Sequence, residues 1–202
     1  MLRLYTHPLS VFARRVRIAL IEKHLEAELV EVDMVNGGHK AAPFLGLNPF
    51  GRVPVLEDEG LVLYESTAIL EYIEAKHPEA PLIPSDPRGR GLCAMHVKLC
   101  DLHVGVETRT LIFPTRFLPR ERWDEAAMEA ARGRIRKHLE VLEDMLGDRE
   151  YMVDDRYTLV EVCYTPLVEF LARAGVVAPA RVDRWIGRML ARPSAMATKP
   201  MK

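Results

Sequence analysis

Long apolar runs are missing from this 202-residue chain: no stretch reaches the roughly 20 consecutive apolar residues that span a bilayer. The first residues, MLRLYTHPLSVFARRVRIAL, also lack the apolar segment of a signal peptide, because Arg14, Arg15 and Arg17 interrupt them. Membrane insertion and export are therefore not expected, and a cytoplasmic location is. Cysteine is scarce. Cys93, Cys100 and Cys163 form no CxxC pair and no clustered zinc pattern, and the odd count points to reduced thiols. His96, His103 and His138 have no acidic or cysteine companions at ligand spacing, so no metal is expected. Gly37-Gly38 lacks the strand–turn–helix setting of a dinucleotide loop, and no Walker loop occurs. A net charge of -1 leaves no general cation excess for a phosphate backbone, so direct nucleic-acid binding is not expected.

What is present is the composition of a globular chain, 49% hydrophobic and 28% charged, with no low-complexity tract and no evident repeat. Leu2–Tyr5 reads as a strand, and His7-Pro8-Leu9-Ser10 as the loop leaving it. Ser10 is placed to cap a helix running to about His24. Phe12, Val16, Ala19 and Leu20 can share its buried face, with Arg14, Arg15 and Lys23 left for solvent. Leu29–Val32 is a second strand, and residues 34–50 are loop and irregular helix. Arg52–Glu57, the Asp58-Glu59-Gly60 turn and Leu61–Tyr64 form a hairpin. Glu65 and Ser66 open a helix with an apolar stripe at Ile69, Leu70 and Ile73, ending near His77. The result is a small mixed sheet covered by helices.

Pro78, Pro81, Pro84, Pro87 and Gly89 then crowd into residues 78–90, the best boundary in the chain. Helical spacing follows over 88–118, 124–147, 158–174 and 180–192, so the second part is all helical. Thr158 and Glu161 fit a capping box at one of these starts, and Trp185 and Met189 are expected to pack the last helix. The expected division is 1–78, a linker at 79–87, and 88–202, with a tail too short to form a lid.

Four segments carry a resemblance that covers nearly all of residues 1–193: LYTHPLSVFARRVRIAL, LNPFGRVPVLEDEG, LVLYESTAILEYI and YTLVEVCYTPLV. Their order and spacing are similar to those of the cytosolic glutathione transferases. The resemblance implies a thioredoxin-like N-terminal domain followed by a helical C-terminal domain, with glutathione as cosubstrate and no metal. On its own, Ser10 is a helix cap; through the resemblance it becomes the catalytic residue, orienting and stabilising the glutathione thiolate without becoming a covalent nucleophile. A cysteine there would suit thiol exchange, which serine cannot perform. Tyr5 is the reserve candidate, although its place in a strand favours packing.

The resemblance also implies a cis bond at Val53-Pro54, with the Val53 backbone meeting the cysteinyl part of glutathione. Glu65 can meet the γ-glutamyl ammonium, while the Ser66 hydroxyl and the helix-start N–H groups hold its carboxylate. His39 and Lys40 resemble the contacts to the glycine carboxylate, Lys40 being the simpler electrostatic choice. Val11, Phe12, Val106, Arg109, Thr110 and Phe113 are the expected lining of the acceptor site. The implied reaction is conjugation of reduced glutathione to a small hydrophobic electrophile, with peroxidase or isomerase chemistry as further uses of the same sulfur. A homodimer is expected. The alternative is a non-catalytic relative resembling the stringent starvation protein, which binds RNA polymerase.

Overall fold

Leu2 and Leu4 alternate with Tyr5 in the first strand, so the two apolar sets fall on opposite faces of the sheet it joins. A computed structural model describes residues 1–200, apart from the Arg116 side chain. Its four strands are β1 (Leu2–Thr6), β2 (Ala27–Glu31), β3 (Val55–Asp58) and β4 (Leu61–Tyr64), in the order β2-β1-β3-β4. β1 runs parallel to β2 and antiparallel to β3, and β3 pairs with β4 through a tight turn. That turn has positive φ at both Glu59 and Gly60, the backbone that matches strand twist in a two-residue hairpin.

One face of the sheet, with Leu2, Leu4 and Leu56, packs on α1 (Val11–Glu22) and α3 (Ser66–Lys76) through Val16, Leu20, Ile69 and Ile73. On the other, Tyr5 meets Phe44 of α2 (Ala42–Leu47) edge to face, with ring centroids 6.1 Å apart. The expected loop-and-irregular-helix segment thus contains one short helix and a 3-10 turn at Gly38–Lys40. β2 starts two residues earlier than its apolar pattern suggests.

The solvent-facing assignment of Arg14, Arg15 and Lys23 is corrected: all three are buried. Lys23 Nζ donates to Glu74 (2.7 Å) and to the carbonyls of Glu79 (2.9 Å) and Ala80 (3.2 Å). Arg14 donates to Thr198 Oγ1 and to the Ala195 carbonyl. The Arg15 guanidinium lies 5.0 Å from the Phe12 ring centroid, and Phe12, expected inside, is only half-buried. Buried cations persist where fixed oxygens replace their water.

The chain divides into two units, Met1–Leu82 with the tail from Pro193, and Ile83–Arg192. The tail, expected with the helical part, instead joins the first unit and forms the short helix α9 (Pro193–Ala197). Apart from an isolated bridge between Val153 and Arg156, the regular structure described in the second unit is helical. The expected helix over 88–118 is interrupted. α4 (Pro87–Leu99) passes through a π-helical turn at Cys100–Val104 and a 3-10 turn at Gly105–Glu107 before α5 (Thr108–Phe117). Such a bulge changes which side chains face inward. α6 (Glu125–Leu146), α7 (Leu159–Val168) and α8 (Ala180–Leu190) complete the unit. The stretch expected as helix to 174 leaves α-helix after Val168.

The core of this unit contains a polar hub. Glu161, fully buried, closes the capping box with Thr158 and also accepts from Met152 N (2.9 Å) and Trp185 Nε1 (3.1 Å). Tyr164 packs on Trp185, and its hydroxyl lies 2.9 Å from His138 Nε2. Trp185 and Met189 are buried, as are the three cysteines, none of which is in a disulfide.

Candidate functional site

Strand register brings the chemistry to one end of the sheet. Tyr5 pairs with Val55, and Val55 with Tyr64, so the exit of β1, the entry to β3 and the exit of β4 lie side by side. Beyond those three residues stand Ser10, Val53-Pro54 and Glu65-Ser66. Thr6 pairs with Glu31 at the end of β2, so the segment carrying His39 and Lys40 leaves from the same end.

Ser10 is the N-cap of α1. Its backbone is extended (φ -80°, ψ 112°), and its Oγ accepts from Ala13 N at 3.1 Å. A hydroxyl that accepts through a lone pair still has its hydrogen to donate. The loop is pinned locally: Ser10 N donates to the His7 carbonyl (3.0 Å), and Leu9 N to His7 Nδ1 (3.2 Å). Tyr5 is committed elsewhere, its hydroxyl donating to Glu57 Oε2 at 2.6 Å. That bond, with burial, raises the phenol pKa, which suits the packing role and not thiolate stabilisation.

The Val53–Pro54 bond is cis, and both residues are buried. The loop before it is built by Asn48, which the sequence places in a loop ahead of Pro49 without a site role. Asn48 Nδ2 donates to the Arg52 carbonyl (2.7 Å), and its Oδ1 accepts from Phe50 N (3.0 Å). Its place ahead of Pro49 is a turn signal that could have identified it. Gly51 has no site role in the sequence either. It has φ +60°, and a Cβ there would lie 2.9 Å from the His39 carbonyl. Only glycine lets the 39–40 segment close on the loop leading to Val53. His39 Nδ1 is buried without a hydrogen-bond partner, whereas Lys40 is exposed.

Glu65 precedes α3 with φ +72° and ψ 113°, a backbone that a non-glycine residue rarely adopts. No side chain caps this helix, and Ser66 is buried at its first turn. An uncapped helix start beside a hydroxyl is a natural seat for a carboxylate.

Of the expected acceptor residues, Val11 is buried and Phe12 half-buried beside Ser10. In the second unit, Val106 and Phe113 are large exposed apolar side chains, 56% and 48% accessible. Arg109 is exposed and Thr110 half-buried; positions 109, 110 and 113 share one face of α5, while Val106 lies in the 3-10 turn ahead of it. Phe113 contacts Phe117 at 5.1 Å between centroids. Among the described residues, no group of three or more His, Cys, Asp or Glu side chains is placed to hold a metal. Among the described residues, no helix is long and apolar enough to cross a membrane.

A thioredoxin-like sheet ahead of a helical unit, with its polar residues gathered at the cis-proline end, defines the class of protein. The chain belongs to the glutathione transferase family: residues 4–81 match the glutathione S-transferase N-terminal domain and residues 125–188 its C-terminal domain. It is 32% identical to the glutathione S-transferase APIC of Nicotiana tabacum, over 96% of this chain and 94% of that protein. It is also 31% identical to a stringent starvation protein A homolog from Coxiella burnetii, over 90% and 81% respectively. Among solved structures, glutathione transferase F2 from Populus trichocarpa superposes with a TM-score of 0.90 at 26% identity, covering 98% of this chain and 97% of that one.

Proposed function

We propose that the protein conjugates reduced glutathione to a small hydrophobic electrophile. The observation that carries this reading is the convergence of Ser10, Val53-Pro54 and Glu65-Ser66 at one end of the sheet. Ser10 donates its hydroxyl hydrogen to the glutathione sulfur at the positive end of α1, lowering the thiol pKa and orienting the lone pair. Val53 meets the cysteinyl backbone. Glu65 takes the γ-glutamyl ammonium, and the Ser66 hydroxyl with the α3 N–H groups takes the carboxylate. His39, with an unpartnered buried Nδ1, and Lys40 take the glycine carboxylate.

The thiolate pair forms a carbon–sulfur bond while the electrophile releases a halide, or while a Michael acceptor takes up a proton. Val11 and Phe12, beside Ser10, contribute to the acceptor site, Val106, Arg109, Thr110 and Phe113 are the acceptor candidates of the second unit taken by itself, and the protein acts as a homodimer in the cytoplasm. Peroxidase and isomerase reactions would use the same activated sulfur.

The likeness to a stringent starvation protein A homolog supports a second reading, a non-catalytic protein that binds a partner such as RNA polymerase. Calorimetric titration with reduced glutathione separates the two. Saturable binding that weakens about tenfold or more in Ser66→Ala, with turnover on an electrophile panel falling roughly a hundredfold in Ser10→Ala, is the expected result. A folded wild type that binds no glutathione, yet forms a stable polymerase complex, would overturn it.

A further inference from the structure

The helix that carries Ser10 is held along its length by the end of the chain. Arg14 sits one turn into α1, and its backbone N–H donates to the Ser10 carbonyl at 3.0 Å, closing the first turn. Its side chain is buried, only 2% accessible. The guanidinium Nε donates to Thr198 Oγ1 at 3.2 Å, and one terminal nitrogen to the Ala195 carbonyl at 3.0 Å. At the other end of the same helix, Ser194 Oγ donates to Glu22 Oε1 at 2.5 Å. Thr198 is itself fixed, donating to the Ser194 carbonyl at 2.8 Å. Residues 193–198 therefore grip α1 near both ends, in the same compact unit.

We propose that Arg14 is a positioning residue for Ser10, acting through the 193–198 tail. The proposal rests on the reading of Ser10 as the thiolate-stabilising group. A hydroxyl and a helix terminus act on a sulfur only when their direction is fixed, because both effects fall off steeply with misalignment. The planar guanidinium fork meets a hydroxyl and a carbonyl at once, and that pair of bonds fixes the roll of α1 about its axis. Lysine could keep the charge and one bond but not the fork. Burial strengthens the hold, since a tail that let go would leave a desolvated cation without those two oxygens.

The test uses the full chain saturated with reduced glutathione, and reads the pKa of the bound thiol from the ultraviolet absorbance of the thiolate. Wild type is compared with Thr198→Val, a near-isosteric change that deletes one acceptor, and with Arg14→Lys and Arg14→Met. A purely structural role would lower the unfolding midpoint and leave the bound thiol unchanged. The expected result is a thiol pKa lowered in wild type and raised again by about one unit in Arg14→Met, a roughly tenfold smaller thiolate fraction. Thr198→Val and Arg14→Lys should shift the same way by less. Amide exchange at Ala13 and Arg14 should quicken in the same order. A lowered pKa in wild type that persists in folded Thr198→Val and Arg14→Lys overturns the positioning role alone. A bound thiol with an ordinary pKa in wild type overturns the Ser10 reading and this one with it. Should Arg14→Met fail to fold, the other two variants decide the matter.

Discussion

Two glutamates stand at helix starts in the two units, and their surroundings are opposite. Glu161, third residue of α7, is fully buried and accepts from four donors: Met152 N, Trp185 Nε1, Thr158 N and Thr158 Oγ1. Glu65, just ahead of α3, is exposed, makes no capping bond and sits at φ +72°. The first has every local requirement met from within the unit. The second breaks a backbone preference and leaves a helix start uncapped. Saturation marks a residue that serves folding, and unsatisfied chemistry held in a strained backbone marks one that can serve a ligand.

The largest effect expected from breaking this comparison is at Glu161. Glu161→Ala strands four buried donors and should lower unfolding free energy by roughly 3 kcal/mol or more. Glu65→Ala should stay within about 0.5 kcal/mol, as an exposed change does. Urea unfolding of the two variants reads both numbers. Equal losses would remove the distinction between them.

A second effect follows from the imidazoles near the same hub. Burial, reinforced by the Arg149 charge, holds His96 down to about 4, and burial with His103 and His96 holds His138 to about 4. In the unfolded chain both titrate near 6.5. Between those values the unfolded state binds more protons, so stability is full above pH 6.5 and falls as the pH drops toward 4. Each pKa unit corresponds to about 1.4 kcal/mol, which puts the combined loss on the order of a few kcal/mol. Glu161 works in the other direction: burial raises its pKa, so protonation in acid relieves a desolvation cost in the folded state. His138→Gln should flatten the loss between pH 6.5 and 4 by roughly half, measured as unfolding free energy against pH. An unchanged slope would show that His138 takes up its proton as readily in the folded protein as in the unfolded one.

These contrasts also explain what could be read along the chain. The Ser10 cap, the Glu59-Gly60 turn and the Thr158–Glu161 box depend on partners three residues away or fewer, and each has the geometry its spacing suggests. The glutamate in that box even gains from its length, since its second oxygen reaches Met152 and Trp185. Arg14 and Lys23 read wrongly because the oxygens that hold them lie far off in sequence, at Thr198 and Ala195 for one and at Glu74, Glu79 and Ala80 for the other. A helical wheel places a cation on a face; it does not reveal that a distant segment covers that face. The π-helical turn at Cys100–Val104 was equally hidden, since helical spacing continues on both sides of it. In the candidate site, the helix-start positions of Ser10 and Glu65-Ser66 were legible and Asn48 carried a turn signal, but the bonds by which Asn48 closes the loop, and the close approach at Gly51, are displayed only by the folded chain.

The smallest expected effect sharpens the comparison most, because stability and binding should part at one atom set. Glu65 holds a backbone that costs an L-residue about 1 kcal/mol, a cost that glycine avoids. Glycine loses a comparable amount through the greater freedom of the unfolded chain. Glu65→Gly should therefore leave the urea midpoint level or slightly raised, by no more than about 0.5 kcal/mol. The same change deletes the proposed partner of the γ-glutamyl ammonium, so glutathione affinity should fall about tenfold, or 1.4 kcal/mol. A site held for a ligand predicts that pairing of unchanged stability with lost affinity. A variant that unfolds earlier and still binds glutathione as wild type does would make Glu65 a structural residue of the Glu161 kind.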